Sequence, residues 1–179
     1  MASETYLATS GLIFLHLLEL YGIGQQQFSQ LMGFDPTRIP DEKARAPSRQ
    51  VDIGFIKAAA LIRDPAFALR AGECWHPSNL GTLGYAWMSS GTLRKALKRL
   101  ARFSRILGQK ATTRCIDEPD GVRLIYDPRR ENATVGSLLA DFSLSLYVSM
   151  CRANFGPSLP LECVTLRRSA PANTKPYTD

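Results

Sequence analysis

The chain has 179 residues, of which 45% are hydrophobic and 21% are charged. This composition indicates one globular domain rather than a disordered chain. The formal charge of +6 requires that an anionic partner be considered. The four cysteines are far apart and form no C-x-x-C pair, which argues against a zinc site and favours buried thiols in a reducing cytoplasm.

The N-terminal half has the apolar spacing of a series of helices. The predicted helices are residues 10–21, 25–32, 48–63 and 66–73. Ser10 is suited to cap the first helix, Gly33 to end the second, and Asp64 with Pro65 to start the fourth. A polar loop with several prolines, 36–47, is expected to separate the second helix from the third.

The most informative stretch is 79–107. Its first part predicts an apolar helix in which Gly81 and Gly84 would allow close packing, and Thr92 then caps the clearest amphipathic helix of the chain, to about Leu107. Seven basic residues and no acidic ones follow Thr92 in this region: Arg94, Lys95, Lys98, Arg99, Arg102, Arg105 and Lys110. The chain has 22 basic residues, so 15 remain outside this group, and 16 acidic residues balance them. This region therefore accounts for the net positive charge of the chain.

After Gly108 the hydrophobic period changes to that of strands. The predicted strands are residues 111–117, 122–127 and 161–167. The first two would form a hairpin whose turn ends in Asp-Gly, and a long helix over 134–154, capped by Thr134, would connect the hairpin to the third strand. The sequence therefore predicts an α+β domain, with a helical N-terminal half followed by a small sheet built from a β-hairpin, a long helix and a further strand.

Sequence motifs of enzymes are lacking: there is no P-loop, no dinucleotide fingerprint, no H-E-x-x-H and no G-x-S-x-G. His16 lies mid-helix near an apolar face, which is typical of a core histidine. We therefore expect no enzymatic activity, no metal and no cofactor. A small-molecule pocket would instead use aromatic walls with a few polar groups. The candidate ligand-binding residues are Trp75, His76, Tyr85, Trp87, Arg123 and Tyr126.

Neither a membrane span nor a signal peptide is predicted near the N-terminus. The apolar run 12–23 is short and is interrupted by His16 and Glu19. The residues before Gly11 contain Glu4 but no Lys or Arg, whereas a signal peptide begins with a positive region. The sequence thus predicts a cytoplasmic protein without a membrane partner.

Three fragments occur in a specific order across the middle of the chain. They are Asp64-Pro65-x-Phe67-Ala68-Leu69-Arg70-x-Gly72, Leu80-Gly81-x-Leu83-Gly84-Tyr85 and Ser89-Ser90-x-Thr92-Leu93-x-x-Ala96-Leu97. Together they resemble the N-terminal regulatory (arabinose-binding-like) domain of one branch of AraC-type transcriptional regulators. The resemblance covers about 11–177, and the predicted hairpin, long helix and third strand follow the family's layout.

The resemblance implies a domain of a bacterial regulator that binds a small-molecule effector, forms a homodimer, or both. It further implies that residues 1–179 are one domain, that the full-length protein continues with another strand, and that a C-terminal helix-turn-helix domain contacts DNA. The family often has acidic or neutral residues in the helix after Thr92, so the basic helix of this chain departs from it.

Three functions remain open at this point. The leading one is effector sensing, in which ligand binding shifts the arrangement of domains or of a dimer. The second is direct nucleic-acid binding through helix 92–107. Its basic surface would consist of Arg94, Lys95, Lys98, Arg99, Arg102 and Arg105. The third is a dimerisation module that binds no ligand.

Overall fold

The computed structural model describes residues 4–35, 37 and 43–178. The strands are β1 (Thr5–Leu7), β2 (Arg45–Pro47), β3 (Thr112–Glu118) and β4 (Gly121–Asp127). The α-helices are α1 (Gly11–Glu19), α2 (Gln25–Met32), α3 (Ser48–Leu61), α4 (Thr82–Met88), α5 (Leu93–Phe103) and α6 (Ala133–Phe155). Shorter 3₁₀ helices include Phe67–Glu73, Pro77–Leu80 and Ser104–Ile106. This architecture confirms the predicted α+β class.

The hairpin predicted between the basic helix and the long helix is present. β3 and β4 pair antiparallel, with Thr112 opposite Asp127 and Glu118 opposite Gly121. The two residues between the strands, Pro119 and Asp120, form the turn, and the glycine of the predicted Asp-Gly pair is the first residue of β4. One end of this hairpin lies beside α5 and the other beside α6, so it connects the basic helix to the core.

A second small sheet, which the sequence did not predict, lies at the N-terminus. β1 pairs antiparallel with β2, and Tyr6 is opposite Ala46. The other edge of β1 contacts the segment after α5, where the Leu7 amide donates to the Leu107 carbonyl at 2.8 Å. β1 and β2 have three residues each, too few for a period of two to be visible.

The predicted third strand, 161–167, is wrong. Residues 161–166 have no regular secondary structure, and 161–165 are exposed. An alternating pattern forms a strand only where a sheet edge pairs with it and one face is buried, and this segment finds neither among the described residues. Instead, the chain after α6 returns along that helix, where Arg168 and Tyr177 hydrogen-bond Asp141.

Most predicted helix ends agree with the structure. Gly33 ends α2 with a left-handed φ of 71°, and the Thr92 hydroxyl accepts a hydrogen bond from the Lys95 amide at 3.3 Å. The cap of α6 is Asn132, whose side chain accepts from the Val135 amide at 3.0 Å, so the prediction of Thr134 is wrong.

The fourth predicted helix is the 3₁₀ helix Phe67–Glu73, one residue later than expected at its start. The Asp64 carboxylate accepts from the Ala66 amide at 2.9 Å, so it closes the preceding turn rather than capping an α-helix. This segment packs along α6, and a Cβ atom on Gly72 would lie 2.8 Å from the Ser145 carbonyl oxygen.

The core lies between α6, the 3₁₀ helix Phe67–Glu73 and the helices of the N-terminal half. Its most buried large side chains are Trp87, Phe28, Phe67, Ile13, Leu17, Leu18, Leu80, Leu100 and Met150. α6 is by length and composition able to cross a membrane, a test that core helices also pass. Here, Leu138, Leu139 and Met150 of α6 are buried within the protein.

Candidate functional site

The sequence-predicted ligand-binding residues do not form one cluster. Trp87 is 1% exposed and donates from its indole nitrogen to the Met150 carbonyl at 3.3 Å, so it belongs to the core. Trp75 donates to the Ser149 hydroxyl of α6 at 3.2 Å. Tyr85, in contrast, is 60% exposed on the outer face of α4.

His76 and Arg123 also have local partners. The His76 ring nitrogen Nδ1 lies 2.8 Å from the Ser78 hydroxyl and accepts from the Ser78 amide at 3.3 Å, which caps the 3₁₀ helix Pro77–Leu80. Arg123 is exposed on the hairpin and forms an ion pair with Glu118 at 2.7 Å. Of the six predicted residues, Tyr126 lines an apolar cavity in the described part of the chain.

This cavity has a volume of about 100 Å³ and lies between β1, α1, α3, the hairpin and α6. Three phenylalanines from three helices meet at one wall. The rings of Phe14 and Phe55 stack with centroids 4.3 Å apart, and Phe142 meets Phe55 edge-on at 5.5 Å. Leu139 and Leu146 on α6 continue the same wall. The cavity is therefore predominantly apolar, as small-molecule sites usually are.

One side of the cavity is polar and contains Tyr6, Tyr126 and Ser143. The Arg130 guanidinium donates to the Tyr6 hydroxyl at 3.1 Å and lies 5.7 Å from the centre of its ring. The same guanidinium forms an ion pair with Asp52 of α3 at 2.7 Å, although the Arg130 side chain is only 2% exposed. The Arg130–Asp52 ion pair, which lies behind the cavity wall, therefore fixes the position of the Tyr6 hydroxyl.

The phenol groups here are uncharged at neutral pH. Burial raises the pKa of Tyr126 well above its ordinary value, and a hydrogen bond with Ser143 opposes that effect. Burial likewise raises the pKa of Tyr6, against the lowering effect of Arg130. Burial also raises the pKa of Tyr147 to about 12. These side chains can donate and accept hydrogen bonds without adding charge to the site.

Gly108 allows the Tyr6 ring to reach this position. A Cβ atom on Gly108 would lie 2.5 Å from Cε1 of Tyr6, so any larger residue would displace the ring. Sequence reasoning missed Tyr6 because its strand is so short, and it did not single out Arg130. The Gly108 position was noted only as the point where the hydrophobic period changes.

The basic surface of α5 is partly neutralised by the hairpin. Arg94 and Lys98 both form ion pairs with Asp117 of β3, the latter at 2.6 Å, and these contacts lower the pKa of the Asp117 carboxyl, Lys98 more than Arg94. Arg99 donates to the Ala86 carbonyl at 2.6 Å and the Ser90 hydroxyl at 2.8 Å. Lys95, Arg102 and Arg105 are exposed on this helix and at its end.

The opposite face of α5 is buried. Ala96 and Leu100 are 0% exposed and Leu97 is 6% exposed. A recognition helix must present its first turns to the DNA groove. Here the first turn is tied to β3 through Arg94, so the geometry favours a structural helix with a solvated basic side.

The cysteines form no metal site, and no group of three or more metal-ligating side chains occurs among the described residues. Burial raises the pKa of both Cys74 and Cys151 to about 11, which makes these thiols weak nucleophiles at neutral pH. The prediction of buried thiols is wrong for Cys163, which is exposed, and only partly right for Cys74, Cys115 and Cys151, which are half-buried.

Comparison with known proteins gives two matches. The family model for the N-terminal arabinose-binding domain of AraC transcription regulators matches residues 22–179. The ornithine utilization regulator of Pseudomonas aeruginosa is 32% identical over 99 residues. That alignment covers 52% of this chain and 28% of the relative, so the chain corresponds to a minor part of that protein.

Proposed function

The chain belongs to the family of N-terminal arabinose-binding domains of AraC transcription regulators, and we propose that its apolar cavity is the site where a small effector binds. The observation that carries this proposal is the apolar cavity of about 100 Å³ between β1, the helices and the hairpin. Close packing normally leaves few voids larger than a water molecule in a domain of this size. Regulatory domains of this family are generally not enzymes, which agrees with the lack of catalytic motifs.

We propose that effector binding acts on the rest of the regulator through α6. Leu139, Phe142 and Ser143 face the cavity from this helix. Asp141, between them in sequence, holds Arg168 of the C-terminal segment. A ligand that prefers one position of α6 would therefore also favour one position of that segment, and hence of a DNA-binding domain connected to it.

The name of the relative suggests ornithine, but the cavity does not suit it. Ornithine carries two ammonium groups and a carboxylate at neutral pH. Asp, Glu, Lys, Arg and His are all missing from the described residues that line the cavity. Burying unpaired charges there would cost several kcal/mol. The specificity of the relative is therefore not transferred to this chain.

A thermal-shift screen of the protein against a library of small metabolites tests the proposal. Ligands should raise the melting temperature in proportion to the logarithm of their concentration. Ala111→Leu, which adds three carbons to the cavity wall, should abolish that shift. Ala60→Leu makes the same change at an exposed position of α3 and should preserve it.

Two results would contradict the proposal. One is a screen without any stabilising compound, which would favour a ligand-free dimerisation module. The other is a set of ligands whose effect survives Ala111→Leu in a variant that remains folded, because they would then bind elsewhere.

A further inference from the structure

The polar side of the cavity narrows the chemistry of the effector. Resting on the proposed function, we infer that the effector is an uncharged molecule with an apolar body about the size of one six-membered ring and one hydrogen-bond-accepting oxygen, to which the Tyr6 hydroxyl donates. Size, charge and hydrogen bonding each support one part of this description.

The size follows from the cavity. Its volume is about 100 Å³. An engineered protein cavity of roughly 150 Å³ lined by Leu, Ile and Phe stays dry and binds benzene. At about two thirds of that volume, this cavity has room for at most one ring, and because it is partly open a small substituent can extend through the opening. The Phe14, Phe55 and Phe142 rings supply the flat apolar surface for it.

The surroundings of Arg130 indicate that the effector carries no charge. This guanidinium is the nearest buried cation to the polar side, but the Asp52 carboxylate at 2.7 Å already neutralises it. A carboxylate ligand would have to compete with Asp52, and an ammonium ligand would lie beside a cation. Both would lose their hydration without gaining a free counter-charge, which is unfavourable in an apolar site.

Hydrogen bonding identifies the group that the cavity recognises. Two of the lining hydroxyls are already used within their own turns: Ser10 donates to the Leu7 carbonyl at 2.6 Å and Ser104 to the Ala101 carbonyl at 3.1 Å. The Tyr6 hydroxyl accepts from Arg130, so its own proton remains free to be donated. The Tyr126 hydroxyl shares a hydrogen bond with the Tyr6 hydroxyl, so Tyr6 presents the free donor. The matching ligand group is an oxygen acceptor such as a carbonyl or a hydroxyl.

A matched series of five probes on one ring tests the inference with the unmodified protein. Benzyl alcohol and acetophenone carry a neutral oxygen, toluene carries none, and benzoate and benzylamine are charged at pH 7. Ligand-observed NMR and thermal shift would give an affinity for each. The two neutral oxygen compounds should bind about five- to tenfold more tightly than toluene. The charged pair should bind more weakly than toluene.

Tyr6→Phe then separates the hydrogen bond from packing, since it removes the donor hydroxyl and keeps the ring whose centre lies 5.7 Å from the Arg130 guanidinium. It should weaken benzyl alcohol about five- to tenfold and leave toluene unchanged. The inference is overturned if benzoate or benzylamine binds most tightly, if toluene binds as tightly as benzyl alcohol, or if Tyr6→Phe weakens both ligands alike. In those cases, ligands that remain sensitive to Ala111→Leu would still support the effector site itself. Failure of all five probes overturns the inference, and only failure of the wider library would also remove the proposed function.

Discussion

Arg168 and Asp141 form an ion pair that fixes the C-terminal segment to the core helix. One terminal nitrogen of the guanidinium donates to both carboxylate oxygens, at 2.6 and 2.9 Å. The Tyr177 hydroxyl donates to the same carboxylate at 3.0 Å. Asp141 is 2% exposed, so these two residues supply the partners of a fully buried charge.

Replacing Arg168 by Ala should destabilise the domain by about 3 kcal/mol, because it leaves the buried carboxylate with Tyr177 as its remaining partner. Urea unfolding followed by tryptophan fluorescence measures the change. Arg167→Ala removes the same charge from the exposed neighbouring position and should change stability by less than about 0.5 kcal/mol. Equal effects of the two variants would show that the ion pair is not what holds the segment.

Stability should fall in alkaline solution because of Tyr147. Burial raises the pKa of this 7%-exposed phenol to about 12, more than a hydrogen bond with Thr113 lowers it. An unfolded tyrosine titrates near 10, so between about pH 10 and 12 the unfolded state has lost a proton that the folded state keeps. The free energy of unfolding then decreases by about 1.4 kcal/mol per pH unit from this residue, and nothing is lost below pH 10.

Tyr147→Phe should therefore lose less stability than the unmodified protein between pH 9 and pH 11, by about 1 kcal/mol. Tyr85→Phe, at an exposed position, should follow the unmodified protein. Urea titrations at the two pH values under reducing conditions provide the comparison. Parallel losses in all three proteins would exclude a contribution from Tyr147.

Gly84 should tolerate no side chain. A Cβ atom there would lie 1.9 Å from the Pro77 carbonyl oxygen, so α4 and the 3₁₀ helix Pro77–Leu80 would have to separate. Gly84→Ala should cost about 3 kcal/mol, the upper end for overpacking. Gly91→Ala meets no atom within 4 Å and should be nearly neutral. Thermal unfolding of both variants tests this, and a stable Gly84→Ala protein would contradict the close packing.

The basic side of α5 should not make this domain a DNA-binding protein by itself. Fluorescence anisotropy with a labelled 30-base-pair duplex at 150 mM salt should show no binding, since Asp117 already neutralises part of this surface. Binding that is lost in Lys98→Glu with Arg102→Glu, and kept in Arg63→Glu with Lys175→Glu, would instead support the nucleic-acid alternative.

Long, periodic elements were predictable from the sequence. α2, α5 and the hairpin have their signals within a few neighbouring residues: a terminal glycine at Gly33, a threonine cap at Thr92 and an Asp-Gly turn. The segment 161–167 has the same local signal as a strand and still forms none. Its outcome depends on whether an unpaired sheet edge lies nearby, which is a property of the whole fold.

The candidate site was largely beyond sequence reasoning for a related physical reason. Tyr126 was identified as an aromatic on a predicted strand, whereas Trp87 and Tyr85 looked equivalent and proved to be a core residue and a surface residue. Tyr6 and Arg130 are 124 positions apart and meet through their side chains. A contact at that separation leaves no periodic or compositional trace in either segment.

The pairing of β1 with the segment after α5 also determines when the cavity is complete during synthesis. The Gln109 amide donates to the Thr5 carbonyl at 3.0 Å, and the remaining wall comes from residues as late as Tyr147. Contacts between such distant parts of the chain are slow to form because the intervening loop must first be closed. One edge of β1 therefore has no hydrogen-bonding partner during synthesis on the ribosome until α5 and the residues after it have emerged. An effector would then bind only after α6 had emerged, and it would stabilise the newly made domain by an amount that grows with the logarithm of its concentration.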